Sequence, residues 1–213
     1  VASRFDSFQR LQESGIVAVM RRMKPQNVAK IAAALKSAGV TAVEITVEHP
    51  DGFASLEVLK KEFGNGLLLG AGTVLDAETA KRAAEAGADF LVTPVVKTDV
   101  ITLANRYGLL VAAGALTPTE ILTAYEAGAD IVKVFPAETV GPQYLKHLKG
   151  PLGHVPIMPT GGINLENLAE YVRNGAVCVG VGGALYQYET AEEIEREAAK
   201  FVSAYQNAKR ALR

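Results

Sequence analysis

Ala127-Gly128-Ala129-Asp130-Ile131-Val132-Lys133-Val134-Phe135-Pro136 holds a helix end, a turn and a short apolar strand within ten residues. Its glycine suits the left-handed position that follows a helix, where a Cβ is costly. Residues 131–135 are mostly β-branched or apolar, lie between Gly and Pro, and read as a buried strand. Three other junctions repeat the arrangement: Ala38-Gly39-Val40, Ala86-Gly87-Ala88 and Asn174-Gly175-Ala176. The four glycines fall 48, 41 and 47 residues apart, a spacing that suits two strand–helix units per interval.

Outward from this stretch, strand-like runs occupy 16–21, 42–47, 67–71, 90–94, 110–113, 131–135, 156–160 and 177–181. Amphipathic runs rich in Ala, Leu, Glu and Lys lie between them, at 26–38, 78–86, 119–127 and 165–174. Eight strands alternating with helices predict an α/β fold, a (β/α)8 TIM barrel formed as one domain over 1–213. A doubly wound open sheet is the alternative. Residues 191–212 read as a charged C-terminal helix on the outside.

The chain has 213 residues, 49% of them apolar and 21% charged, with a net charge of −1. No broad attraction to nucleic acid or to a membrane surface follows from such a balance. Cys178 is the only cysteine, in an apolar run, and reads as a buried structural thiol. No apolar stretch reaches the ~18 to 20 residues of a membrane span. The opening Val1-Ala2-Ser3-Arg4-Phe5-Asp6 lacks the apolar core of a signal peptide, so a cytoplasmic location is expected.

Alternate residues of a strand share a face. In 131–135 the valines suit packing under helices, which points Lys133 into the barrel. In 42–47, Val43, Ile45 and Val47 form the outward face, so Ala42, Glu44 and Thr46 point inward. A lysine and a glutamate therefore enter the same interior. A structural ion pair is one reading. However, a buried pair is often no more stabilising than apolar packing, so stability is a weak reason for it. The other reading is chemical: burial favours the neutral amine that attacks a carbonyl, with a carboxylate beside it as acid and base.

Two glycine pairs follow the last two strands, Thr160-Gly161-Gly162-Ile163-Asn164 and Gly180-Val181-Gly182-Gly183-Ala184. Glycines let backbone N–H groups approach an anion, and phosphate sites in barrels are often built from these two loops. Asn164 is positioned to cap a helix starting at Leu165. Arg21, at the end of the first strand, suits a phosphate or a carboxylate, whereas adjacent Arg22 reads as a solvated rim residue. Thr73, Pro94 and Thr160 stand at strand C-terminal ends, where barrel active sites lie, and read as substrate-binding positions. A threonine there also serves as a simple cap.

Four ordered motifs carry a resemblance: Gly39-Val40-x-x-x-Glu44-Ile45-Thr46, Gly70-Ala71-Gly72-Thr73-Val74, Val132-Lys133-Val134-Phe135-Pro136-Ala137 and Pro159-Thr160-Gly161-Gly162-Ile163. The chain, from about Gly15 to Ala184, resembles the 2-keto-3-deoxy-6-phosphogluconate (KDPG) / 4-hydroxy-2-oxoglutarate (KHG) aldolase family. That family also includes 2-keto-3-deoxy-6-phosphogalactonate aldolase. The resemblance implies a class I aldolase without metal or other cofactor, a homotrimer acting on a small 2-keto acid or phosphorylated sugar acid. It assigns Lys133 the Schiff base, Glu44 the general acid/base role, Thr73 the pyruvate end and Thr160 the stereochemistry at the new carbon. Gly161, Gly162, Gly182 and Gly183 match its phosphate loops. Glu48, followed by His49, stands where many members carry an arginine for the pyruvate carboxylate, which makes Arg21 the available cation.

Two rivals remain at this level. A phosphosugar isomerase or epimerase would use Lys133 electrostatically. A non-catalytic scaffold would have kept only the barrel. His49, His147 and His154 lack the paired spacing of metal ligands.

Overall fold

Each of the four repeated glycines turns a helix back toward the sheet. Gly39, Gly87, Gly128 and Gly175 adopt φ of 97°, 90°, 100° and 99°. The next N–H then reaches back five residues, from Val40 to Leu35, Ala88 to Ala83, Ala129 to Ala124 and Ala176 to Tyr171. This left-handed closure satisfies carbonyls that the helix end leaves free. A computed structural model of the chain describes residues 3–212. Val1 and Ala2 of the opening segment and Arg213 at the far end lie outside the described residues.

The elements alternate as expected. The strands are β1 (Ile16–Met20), β2 (Ala42–Thr46), β3 (Leu68–Gly72), β4 (Phe90–Val92), β5 (Leu110–Ala115), β6 (Ile131–Val134), β7 (Ile157–Pro159) and β8 (Val179–Val181). Before β1 runs α1 (Arg4–Ser14). Between the strands run α2 (Pro25–Ser37), α3 (Gly52–Phe63), α4 (Ala77–Glu85), α5 (Thr98–Tyr107), α6 (Pro118–Glu126), α7 (Pro142–Leu152) and α8 (Leu168–Arg173), and α9 (Ala191–Arg210) follows β8. All eight strands are parallel, in the order β7-β6-β5-β4-β3-β2-β1-β8. The bridges Ile157–Ala176 and Thr160–Gly180 join the two ends. The result is a nearly closed (β/α)8 barrel and not a doubly wound sheet.

Inward residues sort from outward ones as strand alternation requires. Val17, Ala42, Leu68, Phe90, Leu110, Ile131, Met158 and Cys178 fill the lower interior. Val43, Ile45, Val132 and Val134 face the helices. Helix α1, which the sequence reading did not anticipate, packs Leu11 into the interior cluster and contacts β1, β2, β3 and β5. Ser3 and Asp6 form its capping box, and Gly15 ends it in the left-handed region. The guanidinium of Arg4 pairs with Asp130 and donates to Gly128 O at 2.9 Å. The tail helix α9 is amphipathic, burying Ile194, Ala198, Phe201, Tyr205 and Ala208 while it packs on α2 and α8.

Several boundaries shift by one or two residues, so that β1 ends at Met20 and Arg21 lies just beyond it, and β8 begins at Val179; two differences have clear local reasons. Strand β4 stops at Val92, so Pro94 lies beyond it. The Thr93 hydroxyl donates to Val95 O at 2.6 Å and accepts Gly114 N–H at 3.0 Å, which draws the chain out of the ladder. Helix α8 begins at Leu168, and Asn164 does not cap a helix at Leu165. Asn164 Oδ1 instead accepts the N–H groups of Glu166 and Asn167, a local turn that competes with helix.

Candidate active site

Glycines hollow out the C-terminal mouth of the barrel. A Cβ on Gly72 would collide with the Glu44 carboxylate, and one on Gly70 with the Phe90 ring. Gly180 likewise leaves room for the Thr160 hydroxyl, and Gly114 for the backbone of Pro94. Larger residues there would fill the space with apolar atoms, as they do lower in the barrel.

Lys133 and Glu44 enter this space from β6 and β2, both buried. Lys133 Nζ lies 3.8 Å from Glu44 Oε1, within ion-pair reach but too far for a hydrogen bond. It also lies 5.2 Å from the centre of the Phe135 ring. Neither Glu44 oxygen has a hydrogen-bond partner among the described residues, and the same holds for Thr46 Oγ1 and Thr160 Oγ1. A buried carboxylate without hydrogen bonds is costly even beside a cation, and native proteins carry few such groups. Glu44 brings its free acceptor oxygens next to the amine, the arrangement that acid/base chemistry on a bound carbonyl compound needs.

A cavity of about 680 Å³ opens between the ends of β1, β7 and β8. Its lining includes Arg21, Thr160, Gly161, Gly162, Gly182 and Gly183. Six sequence-expected positions thus share one space. Lys133 and Glu44 do not line it, whereas Thr160 does. Gly161 and Gly162 adopt φ of 96° and 73°, and Asn167 Nδ2 holds Gly162 O at 2.8 Å. Thr73 follows β3 with φ 57° and is half-buried, and Pro94 packs its backbone against Gly114; neither lines the cavity. Glu48 is exposed in the loop after β2.

Sequence reasoning missed several neighbours. Arg22, expected on the solvated rim, is exposed but lines the cavity, as do Tyr186 and Gln187. The Tyr186 hydroxyl donates to Val19 O at 2.9 Å and accepts Arg21 N–H at 3.2 Å, tying the β8 loop to the end of β1. Burial raises its phenol pKa, against the opposing effects of the Arg21 hydrogen bond and charge. Cys178 sits buried in the lower interior, and burial pushes its thiol up. Among the described residues no group of three or more His, Cys, Asp or Glu side chains suits a metal ion. No helix among them is long and apolar enough to cross a membrane.

A parallel barrel with a lysine and a carboxylate buried at its C-terminal mouth has the layout of an aldolase, and the chain is one, a carbon–carbon lyase. It belongs to the KDPG and KHG aldolase family, whose model matches residues 8–201. It is 37% identical over 195 residues to the 2-dehydro-3-deoxy-6-phosphogalactonate aldolase of Escherichia coli (strain K12), covering 91% of this chain and 95% of that one. It is 36% identical over 171 residues to the 2-dehydro-3-deoxy-phosphogluconate aldolase of Pseudomonas aeruginosa, covering 79% and 77%. The native KDPGal structure superposes with a TM-score of 0.87 at 36% identity, covering 92% of this chain and 96% of that one.

Proposed function

We propose that this chain is a class I aldolase cleaving 2-keto-3-deoxy-6-phosphogluconate, or its galactonate epimer, to pyruvate and glyceraldehyde 3-phosphate. 4-Hydroxy-2-oxoglutarate, giving pyruvate and glyoxylate, is the smaller substrate of the same chemistry. The observation that carries this reading is the buried Lys133 beside a carboxylate with no hydrogen-bond partner among the described residues, in a barrel that also holds a cavity walled by glycine loops. The named activities of the relatives support the substrate class.

The neutral Lys133 amine adds to the C2 ketone, and loss of water gives an iminium. Glu44 takes the proton of the C4 hydroxyl. The C3–C4 bond breaks, its electrons form the enamine, and the aldehyde leaves. Glu44 returns the proton to C3, making the methyl group, and water then frees pyruvate and the lysine. The 3.8 Å gap suits this role, because a carboxylate hydrogen-bonded to the amine would be less free to reach the substrate. Arg21 meets the keto-acid carboxylate, with Thr73 and Pro94 closing the pyruvate end. Thr160 contacts the carbon chain, and the backbone N–H groups of Gly161, Gly162, Gly182 and Gly183 cradle the phosphate. The family resemblance supports a homotrimer of one-domain chains, and a phosphorylated, membrane-impermeant substrate supports a cytoplasmic location.

Pyruvate release from the three keto acids tests the reading. We expect release from at least one phosphorylated substrate and none from Lys133→Ala. Retained cleavage in that variant contradicts it. Gly162→Asp is expected to raise KM for the phosphorylated substrate, and an unchanged KM moves the phosphate elsewhere.

A further inference from the structure

Arg22 is held in a conformation that its residue type does not favour. Its φ is 51°, in the left-handed region that glycine enters freely and a long L side chain rarely does. Such strain persists only where the surroundings impose it, and it collects at functional sites. In β1, Val17 faces the barrel interior and Ile16, Ala18 and Met20 face the helices. Arg21 continues the inward series of Val17 and Val19. Ordinary alternation would then send Arg22 outward. The left-handed turn brings it back, so two consecutive arginines line the same cavity.

These are the two charged side chains in that lining. Facing them, Gly161, Gly162, Gly182, Gly183 and Ala184 offer no side-chain donor, and the Gln187 amide beside Gly183 is neutral. Space beside Gly182 is open, whereas the Glu138 carboxylate lies close beside Gly162 and adds negative charge. A phosphate monoester brings roughly −1.5 to −2 charges at neutral pH. Backbone N–H groups orient such an anion, but a cation is still needed to balance it. The backbone N–H of Arg21 donates to the Tyr186 hydroxyl at 3.2 Å, and in the aldolase reading above the Arg21 side chain meets the keto-acid carboxylate.

We propose that Arg22 pairs with the substrate's phosphate and sets the preference for phosphorylated over unphosphorylated keto acids. This rests on the aldolase reading of the cavity. The test compares wild type, Arg22→Gly and Arg22→Lys with 2-keto-3-deoxy-6-phosphogluconate and its unphosphorylated form. Thermal midpoints with and without inorganic phosphate give a readout independent of turnover. In Arg22→Gly the KM preference for the phosphorylated substrate should fall by about tenfold or more, the size of a lost charge-assisted hydrogen bond. The rise in midpoint given by phosphate should shrink in parallel, and Arg22→Lys should restore part of both. Its midpoint without phosphate should be no lower than wild type, because glycine relieves the backbone. An unchanged preference together with an undiminished phosphate effect overturns the proposal. If wild type releases pyruvate from neither substrate, the aldolase reading fails, and the phosphate-dependent midpoints still decide the role of Arg22.

Discussion

Glu44 shows at the scale of one residue how function outweighs stability. Its two buried oxygens lack hydrogen-bond partners among the described residues, and its amine neighbour stands 3.8 Å away. Glu44→Gln keeps the shape and removes the charge. We expect kcat to fall by about 10² to 10⁴, the usual worth of a general base, while the thermal midpoint holds or rises. Parallel kinetics and melting curves check both halves. Gly72→Ala should also impair turnover, because its Cβ would occupy the place of the Glu44 carboxylate. A variant with wild-type kcat would show that the carboxylate moves without penalty. The inward aim of Lys133 and Glu44 was legible in the sequence, because a period of two leaves each strand residue one of two faces. Arg22 was not, since its left-handed backbone reverses that alternation. The burial of Thr46 was legible only as an inward position, because how deeply it is enclosed depends on the assembled barrel.

Among the elements, the glycine-closed helices were readable and α1 was not. The closures are local: the glycine, the residue after it and the five before it contain every hydrogen bond involved. Helix α1 contributes Leu11 to the interior cluster, with half-buried Phe8 packed against it, and otherwise presents a largely polar sequence. Its capping box, Ser3 with Asp6, was the available signal. Leu11→Ala should cost about 2–5 kcal/mol by leaving a cavity at the closed end, measured by denaturant unfolding; a loss well under 1 kcal/mol would mean that α1 is not a plug. Helix α6 offers a charge test. Glu120 is held below its ordinary value of 4.5 by the Thr117 N–H first, then by the Leu116 N–H and the Thr117 hydroxyl. A depressed carboxyl stabilises the fold above its unfolded pKa and loses that contribution as pH falls through its folded pKa. Glu120→Gln should therefore melt slightly below wild type at pH 7, by a few tenths of a kcal/mol. The difference should close as the pH drops well below 4.5; a gap that persists in acid would assign the effect to packing.

For the molecule as a whole, the regular array of strands and glycine junctions made the barrel legible before its seam could be. That seam rests on two isolated bridges, and β7 and β8 are each three residues long. Such short runs carry too little periodicity to fix their ends from sequence. The glycine loops beyond them were legible as a phosphate cradle, yet the cavity joining them to Arg21 and Arg22 depends on the closure of β8 against β1. The barrel thus holds both a glycine-walled cavity and a buried lysine–carboxylate pair, which the proposed mechanism assigns to recognition and to reaction. The most direct measurement of that claim is borohydride reduction in the presence of pyruvate, followed by mass analysis of the intact chain and its peptides. The account predicts one reduced pyruvyl adduct per chain, on the peptide carrying Lys133. No adduct, or an adduct on another lysine, would contradict it.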